Sequence, residues 1–168
     1  MNGADRADLP KSPPDFRILR GKTNEFMRIY EATEPSDLLA EAFARLLPQL
    51  SERMTAPDRE AVARIVASPA TRQLVAAAED GRIVGLLSVA LYAVPSGRKA
   101  WIEDVVVDAA TRGRGIGEAL VREALALARR EGVARVMLTS NATRRAAHRL
   151  YERMGFVRYE TDCFRLDL

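Results

Sequence analysis

The chain has 168 residues, with 26 Lys+Arg against 23 Asp+Glu for a formal charge of +3. That length suits one domain with its own core, no apolar run approaches the roughly eighteen residues of a membrane span, and no charged-then-apolar leader pattern opens the chain, so it reads as a soluble, cytoplasmic protein without a membrane partner. One cysteine, Cys163, and one histidine, His148, exclude an internal disulfide framework and argue against a Cys- or His-based metal site, while scattered basic residues without a nucleic-acid-binding signature set nucleic acid aside as a partner.

Residues 1–26 carry Pro10, Pro13 and Pro14 among charged and small residues and read as a mobile extension, with a short extended piece at Phe16–Leu19. A single domain over 27–168 follows. Met27–Ala32 alternates apolar and polar residues as a first strand. Thr33 or Ser36 then caps a helix whose stripe is Leu38, Leu39, Ala42, Phe43 and Leu46, ended or kinked at Pro48. Pro57 opens a second helix that faces Val62, Ile65 and Val66 inward and stops at Ser68-Pro69. Gln73–Ala78 and Arg82–Tyr92 form a hairpin around Glu79-Asp80-Gly81, with Gly85 marking a bulge or a close backbone approach.

The central unit runs from Trp101 to Leu127. Ile102–Val107 is β-branched apart from Glu103 and Asp104 and suits a buried strand. Arg112-Gly113-Arg114-Gly115-Ile116-Gly117 follows, and then Ile116, Leu120, Ala124, Leu127 and Ala128 recur at helical spacing until Arg129, Arg130 and Gly132 close the helix. Glycines without Cβ atoms, the unpaired N–H groups of a helix start and two arginines make a phosphate-binding turn. Arg135–Thr139 gives a further strand, reached by a parallel crossover. Ser140-Asn141-Ala142-Thr143 offers caps for a helix with Ala147, Leu150, Tyr151 and Met154 on one face, ended by Gly155. Phe156–Tyr159 and Asp162–Leu168 finish as two strands, with Cys163 a structural residue in the second.

The turn lacks the Gly-Lys-Ser/Thr of a P-loop and the acidic residue of a dinucleotide fingerprint. It resembles motif A of the GCN5-related N-acetyltransferase (GNAT) superfamily, Arg/Gln-x-x-Gly-x-Gly/Ala, and Ala147-His148-Arg149-Leu150-Tyr151 with Gly155-Phe156 resembles that family's Ala-x-x-Leu-Tyr…Gly-Phe. The element order agrees from Met27 onward. The resemblance implies an α/β (α+β) GNAT fold, a mixed sheet of about six to seven strands flanked by about four helices. It also implies acetyl-CoA as acyl donor, with the pyrophosphate held by Arg112 to Glu118 and the pantetheine arm along Val105, Val106 and Val107. The first helix pair becomes one side of an acceptor pocket, Tyr151 the acid that protonates the departing thiolate, and a homodimer the family's habit.

Read without the resemblance, Tyr151 is a core tyrosine on a buried stripe, although a phenol with pKa near 10 stays a proton donor at neutral pH. Main-chain N–H groups around Val105 and Val106 suit a developing oxyanion. Glu103 and Asp104 are candidate bases, since two acids inside an apolar strand need partners or a wet cleft. Alternation places Glu103 with Trp101 and Val105, and Asp104 with Ile102 and Val106 on the opposite face; Glu103 is the favoured base, Asp104 is either a base or a salt bridge to a neighbouring arginine, and the resemblance leaves water-mediated deprotonation as a third route. Asn141 has two readings, helix cap or cofactor contact. Arg144 stands where many family members carry asparagine, and Arg144 or Arg145 is a candidate for the 3′-phosphate.

The function expected is N-acetylation of a primary amine on a small molecule, with amino sugars favoured because Ile102-Glu103-Asp104-Val105-Val106-Val107 resembles the matching segment of glucosamine-6-phosphate N-acetyltransferases. A non-catalytic acyl-CoA sensor and a protein N-terminal acetyltransferase are the alternatives.

Overall fold

In a computed structural model, the structure describes residues 17–20 and 26–168, with side chains from residue 27 onward. The remainder of the expected N-terminal extension lies outside the described residues. In chain order the strands are β1 (Arg17–Arg20), β2 (Phe26–Ala32), β3 (Thr71–Ala77), β4 (Ile83–Val94), β5 (Gly97–Val107) and β6 (Val136–Leu138), and the helices α1 (Asp37–Leu50), α2 (Arg59–Ala67), α3 (Ile116–Arg130) and α4 (Arg145–Arg153). A 3-10 turn at Ala109–Thr111 links β5 to the glycine turn.

The strands form one mixed sheet in sequential order, antiparallel from β1 to β5 and parallel between β5 and β6. Each face of the sheet carries its own apolar cluster. Leu39, Phe43, Leu46 and Val62 of α1 and α2 pack on Val75, Leu86 and Val106. On the other face Ile116, Leu120 and Ala124 of α3, with Tyr151 of α4, pack on Leu74, Leu87, Val89 and Ile102.

Helix α1 begins at Ser36, whose hydroxyl accepts from the Leu39 N–H at 3.2 Å. It runs through Pro48 and ends at Leu50, so Pro48 neither ends nor sharply shortens it; the bond lost to Ala44 lies in the last turn, where the cost is small. Leu38, expected on the buried stripe, is exposed. Asp58 caps α2, accepting from the Ala61 N–H at 2.7 Å, with Pro57 just outside the helix.

Gly85 meets both expectations placed on it. The β3–β4 register shifts beside it, and a Cβ there would stand 3.0 Å from Leu120 Cδ1 and 3.1 Å from Ile116 Cγ2, so the missing side chain lets α3 lie close to the sheet.

The chain after α4 departs from expectation. Phe156–Tyr159 and Asp162–Leu168 form no strand, and Val157, Tyr159, Phe164, Leu166 and Leu168 are exposed. Alternation identifies residues that suit a pleat, but a strand exists only where a neighbouring edge pairs with it. Cys163 is correspondingly exposed rather than part of a strand.

Candidate functional site

The site is built on an irregularity in β5. Glu103 lies opposite Ser88 and Val106 opposite Leu86, so Leu87 alone faces Asp104 and Val105 together: a β-bulge. Asp104 sits at φ +50°, the only positive-φ residue other than glycine among the described residues. Aspartate is one of the few side chains that tolerates this conformation, which accounts for its presence in a β-branched run.

The bulge overturns the expected alternation. Ile102 packs in the α3 cluster and Val106 in the α1 cluster, although parity would put them together. Val105 turns to the α3 side, and Glu103 and Asp104, expected on opposite faces, both line one cleft between the sheet and helices α1 and α2. The cleft has a volume of about 270 Å³ and is walled by Phe43, Leu47, Pro57, Ile65, Leu86 and Ala90, with Thr71, Gln73 and Ser88 on its floor. Ser88 donates to Gln73 Oε1 at 2.9 Å, and Gln73 Nε2 donates to the Leu74 and Leu87 carbonyls at 3.1 and 3.2 Å. Gln73 thereby ties the floor to the strand position left single by the bulge.

Glu103 stays exposed, and the partial desolvation that it meets in this cleft pushes its carboxyl above its ordinary value, with the charge of Asp104 adding to the shift. Asp104 is also raised by burial, with Arg144 pulling it back. Among the described residues Asp104 has no ion pair within 4 Å, so the expected salt bridge is only a longer-range attraction. The Arg144 guanidinium donates instead to the Leu50 carbonyl at the end of α1.

Beyond Ile102, β5 runs on without β6, because the parallel pairing covers only Ala100–Ile102. The Asp108 N–H donates to the Val84 carbonyl at 2.9 Å, which fixes which residues address β4, and alternation then points the main-chain groups of Val107 and Val105 to the edge that carries no strand. Val106 lies opposite Leu86 with its side chain buried. Arg112 Nε donates to the Val107 carbonyl at 3.1 Å, folding the start of the glycine turn onto the strand end.

Gly113 and Gly115 take φ +80° and +87°, and nothing lies within 4 Å of where their Cβ atoms would stand. Gly115 caps α3, and the first helical bond runs from the Ala119 N–H to the Gly115 carbonyl at 3.0 Å, so the N–H groups of Ile116, Gly117 and Glu118 precede the ladder. Open backbone and a positive helix end fit an anionic group such as a pyrophosphate. Gly117 serves packing, because a Cβ there would stand 3.3 Å from Leu150 Cδ2 of α4.

Tyr151 is 9% exposed and meets Phe156 edge-on at 5.8 Å between ring centroids. Burial pushes its phenol above the ordinary value, with Arg144 opposing. No group among the described residues hydrogen-bonds its hydroxyl, so the reading of a tyrosine tied to the backbone has no partner to support it. Asn141 does not cap α4. Its Oδ1 accepts from Thr143 N–H at 2.9 Å and Thr143 Oγ1 at 2.8 Å, forming a turn ahead of the helix, whose cap position is Arg144.

Two groups escaped the sequence reading. Asp108, 6% exposed, receives Arg45 of α1, which also donates to the Ile83 carbonyl, and Arg82 at 3.5 Å. Its sequence signal was no more than an acid at a strand end. Ser140 Oγ, on the segment leaving β6, is shut from solvent without a partner among the described residues. Nothing in the sequence distinguishes it from a cap.

A mixed sheet with one strand edge bared, a glycine cradle at its end and an acidic cleft beside it is the architecture of an acyl-transfer enzyme. The chain belongs to the GNAT acetyltransferase family, whose sequence pattern matches residues 25–156. It is 35% identical over 127 residues to glucosamine 6-phosphate N-acetyltransferase 1 of Oryza sativa subsp. japonica, covering 71% of this chain and 75% of that protein. It is 33% identical over 91 residues to mycothiol acetyltransferase of Renibacterium salmoninarum, which covers 53% of this chain but only 27% of that longer protein. The crystal structure of a Trypanosoma brucei acetyltransferase superposes with a TM-score of 0.69 at 30% identity, over 84% of this chain and 99% of that one. The described residues hold no group of three or more His, Cys, Asp or Glu arranged for a metal, and no described helix is long and apolar enough to cross a membrane.

Proposed function

We propose that the protein moves an acetyl group from acetyl-CoA to a primary amine of a small molecule, by direct attack within a ternary complex. The observation that carries this reading is the bulge that puts Glu103 and Asp104 into one cleft beside the bared edge of β5. When bound, acetyl-CoA supplies an activated thioester. Gly113, Gly115 and the N–H groups of Ile116, Gly117 and Glu118 would hold its pyrophosphate, with Arg112 and Arg114 adding charge, and the Val105–Val107 edge its pantetheine.

The chain's own residues then manage protons. An amine enters as ammonium and must lose a proton before its lone pair attacks. Glu103 is the base and Asp104 the neighbouring charge that keeps its proton affinity high; a carboxylate raised by partial desolvation is a better base than one in water. Main-chain N–H groups on the open edge at Val105 stabilise negative charge developing on the carbonyl oxygen. Tyr151 Oη, held protonated by burial, supplies the proton that the departing sulfur needs.

The name of the rice relative supports an amino sugar as the first acceptor to try. The test is free-thiol release from acetyl-CoA across amino sugars, polyamines, alkyl- and arylalkylamines, aminoglycosides and short peptides. Amine-dependent release is the expected result; binding of acetyl-CoA without amine-dependent release would contradict the reading and leave an acyl-CoA sensor.

A further inference from the structure

Resting on that reading of the cleft, we infer that its preferred acceptor is a small, unphosphorylated ammonium with an apolar body, an alkyl- or arylalkylamine, rather than a sugar phosphate. Of the described residues lining the cleft, six are apolar, three are neutral and polar, and the only charged ones are Glu103 and Asp104. Among the described residues no lysine or arginine lines it. A primary ammonium meets two carboxylates there. A phosphate would meet the same two carboxylates with no cation among the described lining residues to offset the repulsion.

Three arginines on the surrounding elements are already committed. Arg45 is held by Asp108 and the Ile83 carbonyl, Arg72 pairs with Glu31 at 3.3 Å and donates to the Pro69 carbonyl at 3.0 Å, and Arg144 serves the Leu50 carbonyl. Freeing one for a phosphate would leave a carboxylate or a carbonyl without its partner.

Polar capacity on the floor is similarly used. Both Gln73 Nε2 bonds go to carbonyls and Gln73 Oε1 takes the Ser88 hydroxyl proton, so the amide donor of the floor is not open to the hydroxyls of a sugar ring. The volume of about 270 Å³ falls below the roughly 300–1,000 Å³ of typical ligand sites, which suits a short amine and excludes full burial of a multi-ring aminoglycoside.

The experiment measures kcat/KM for 2-phenylethylamine, n-hexylamine, glucosamine and glucosamine 6-phosphate by thiol release from acetyl-CoA, in the full-length wild-type protein and in Ile65→Lys, which places a cation on a partly exposed part of the wall. In the wild type the two apolar amines should exceed glucosamine by on the order of tenfold or more, the scale on which an apolar pocket discriminates, and glucosamine 6-phosphate should be slowest. Ile65→Lys should lower the apolar amines and raise glucosamine 6-phosphate, reversing part of that order. Wild-type preference for either sugar overturns this inference and leaves the acetyltransferase standing. If no amine raises release, the acetyltransferase reading falls and this inference falls with it.

Discussion

Arg45 on α1 reaches the buried Asp108 at the end of β5, so the wall of the Glu103–Asp104 cleft and the entrance to the glycine turn share one ion pair. The same helix holds the 3-10 turn a second time, through Gln49 Oε1 accepting from the Ala109 N–H at 2.8 Å. Asp108 Oδ1 also accepts from the Ala110 N–H at 3.1 Å. Asp108→Asn removes the charge that two arginines face and should lower stability by roughly 1–2 kcal/mol, because Arg45 and Arg82 are both partly exposed and water takes up part of the charge left behind. Urea unfolding with an unchanged m-value checks it.

Glu103→Gln should lower kcat about 10²-fold or more, the usual contribution of a positioned base. Its effect on stability has the opposite sign. The Glu103 carboxyl is raised in the folded state, so folding favours its protonated form; the wild type is most stable below the unfolded carboxylate range and loses stability as pH rises through the raised folded value. The glutamine variant escapes that loss. Its melting temperature should exceed the wild type's at pH 7, and the difference should vanish below about pH 4.

Asp104 separates strain from chemistry. Asp104→Gly relieves a left-handed backbone, at φ +50°, and should stabilise the fold by roughly 1 kcal/mol while removing a cleft charge. Asp104→Asn keeps a side chain that tolerates the same conformation, so its stability should stay near the wild type's. Both should lose turnover. Thermal unfolding alongside thiol release distinguishes the two effects.

Tyr151→Phe keeps the ring packed against Phe156 and deletes a hydroxyl with no partner among the described residues. Stability should change by less than about 0.5 kcal/mol, while turnover falls on the order of 10²-fold. Full turnover in this variant would remove Tyr151 as the acid.

Gly115→Ala meets no steric obstacle but forces an L-residue to φ +87°, at about 1–2 kcal/mol. KM for acetyl-CoA should rise more than kcat falls, because the cradle and not the cleft is disturbed; steady-state kinetics with acetyl-CoA varied will show the split.

Where one physical signal sufficed, residues alone located the elements. The stripe Ile116, Leu120, Ala124 and Leu127 marked α3, and the glycines between arginines marked the turn ahead of it. Legibility failed where a partner strand decides the outcome. The alternation of Val157, Tyr159, Phe164 and Leu166 is as good as that of β2, yet no edge pairs with it. It failed again at Asp104, because parity arguments assume an unbroken pleat and a single bulged residue reverses every face after it. The hint was present: an aspartate inside Ile102–Val107 is costly as a pleated residue and cheap as a left-handed one. The Arg45–Asp108 pair spans 63 positions and had no local trace at all.

The measurement closest to the central claim compares amine-dependent thiol release at pH 7 in the wild type and in Glu103→Gln/Asp104→Asn, with acetyl-CoA binding followed by calorimetry in both. A cleft assembled by the bulge to deprotonate the acceptor predicts release reduced at least about 10²-fold with acetyl-CoA affinity unchanged. Release retained at the wild-type rate in the double variant would contradict the account and move deprotonation of the amine away from β5.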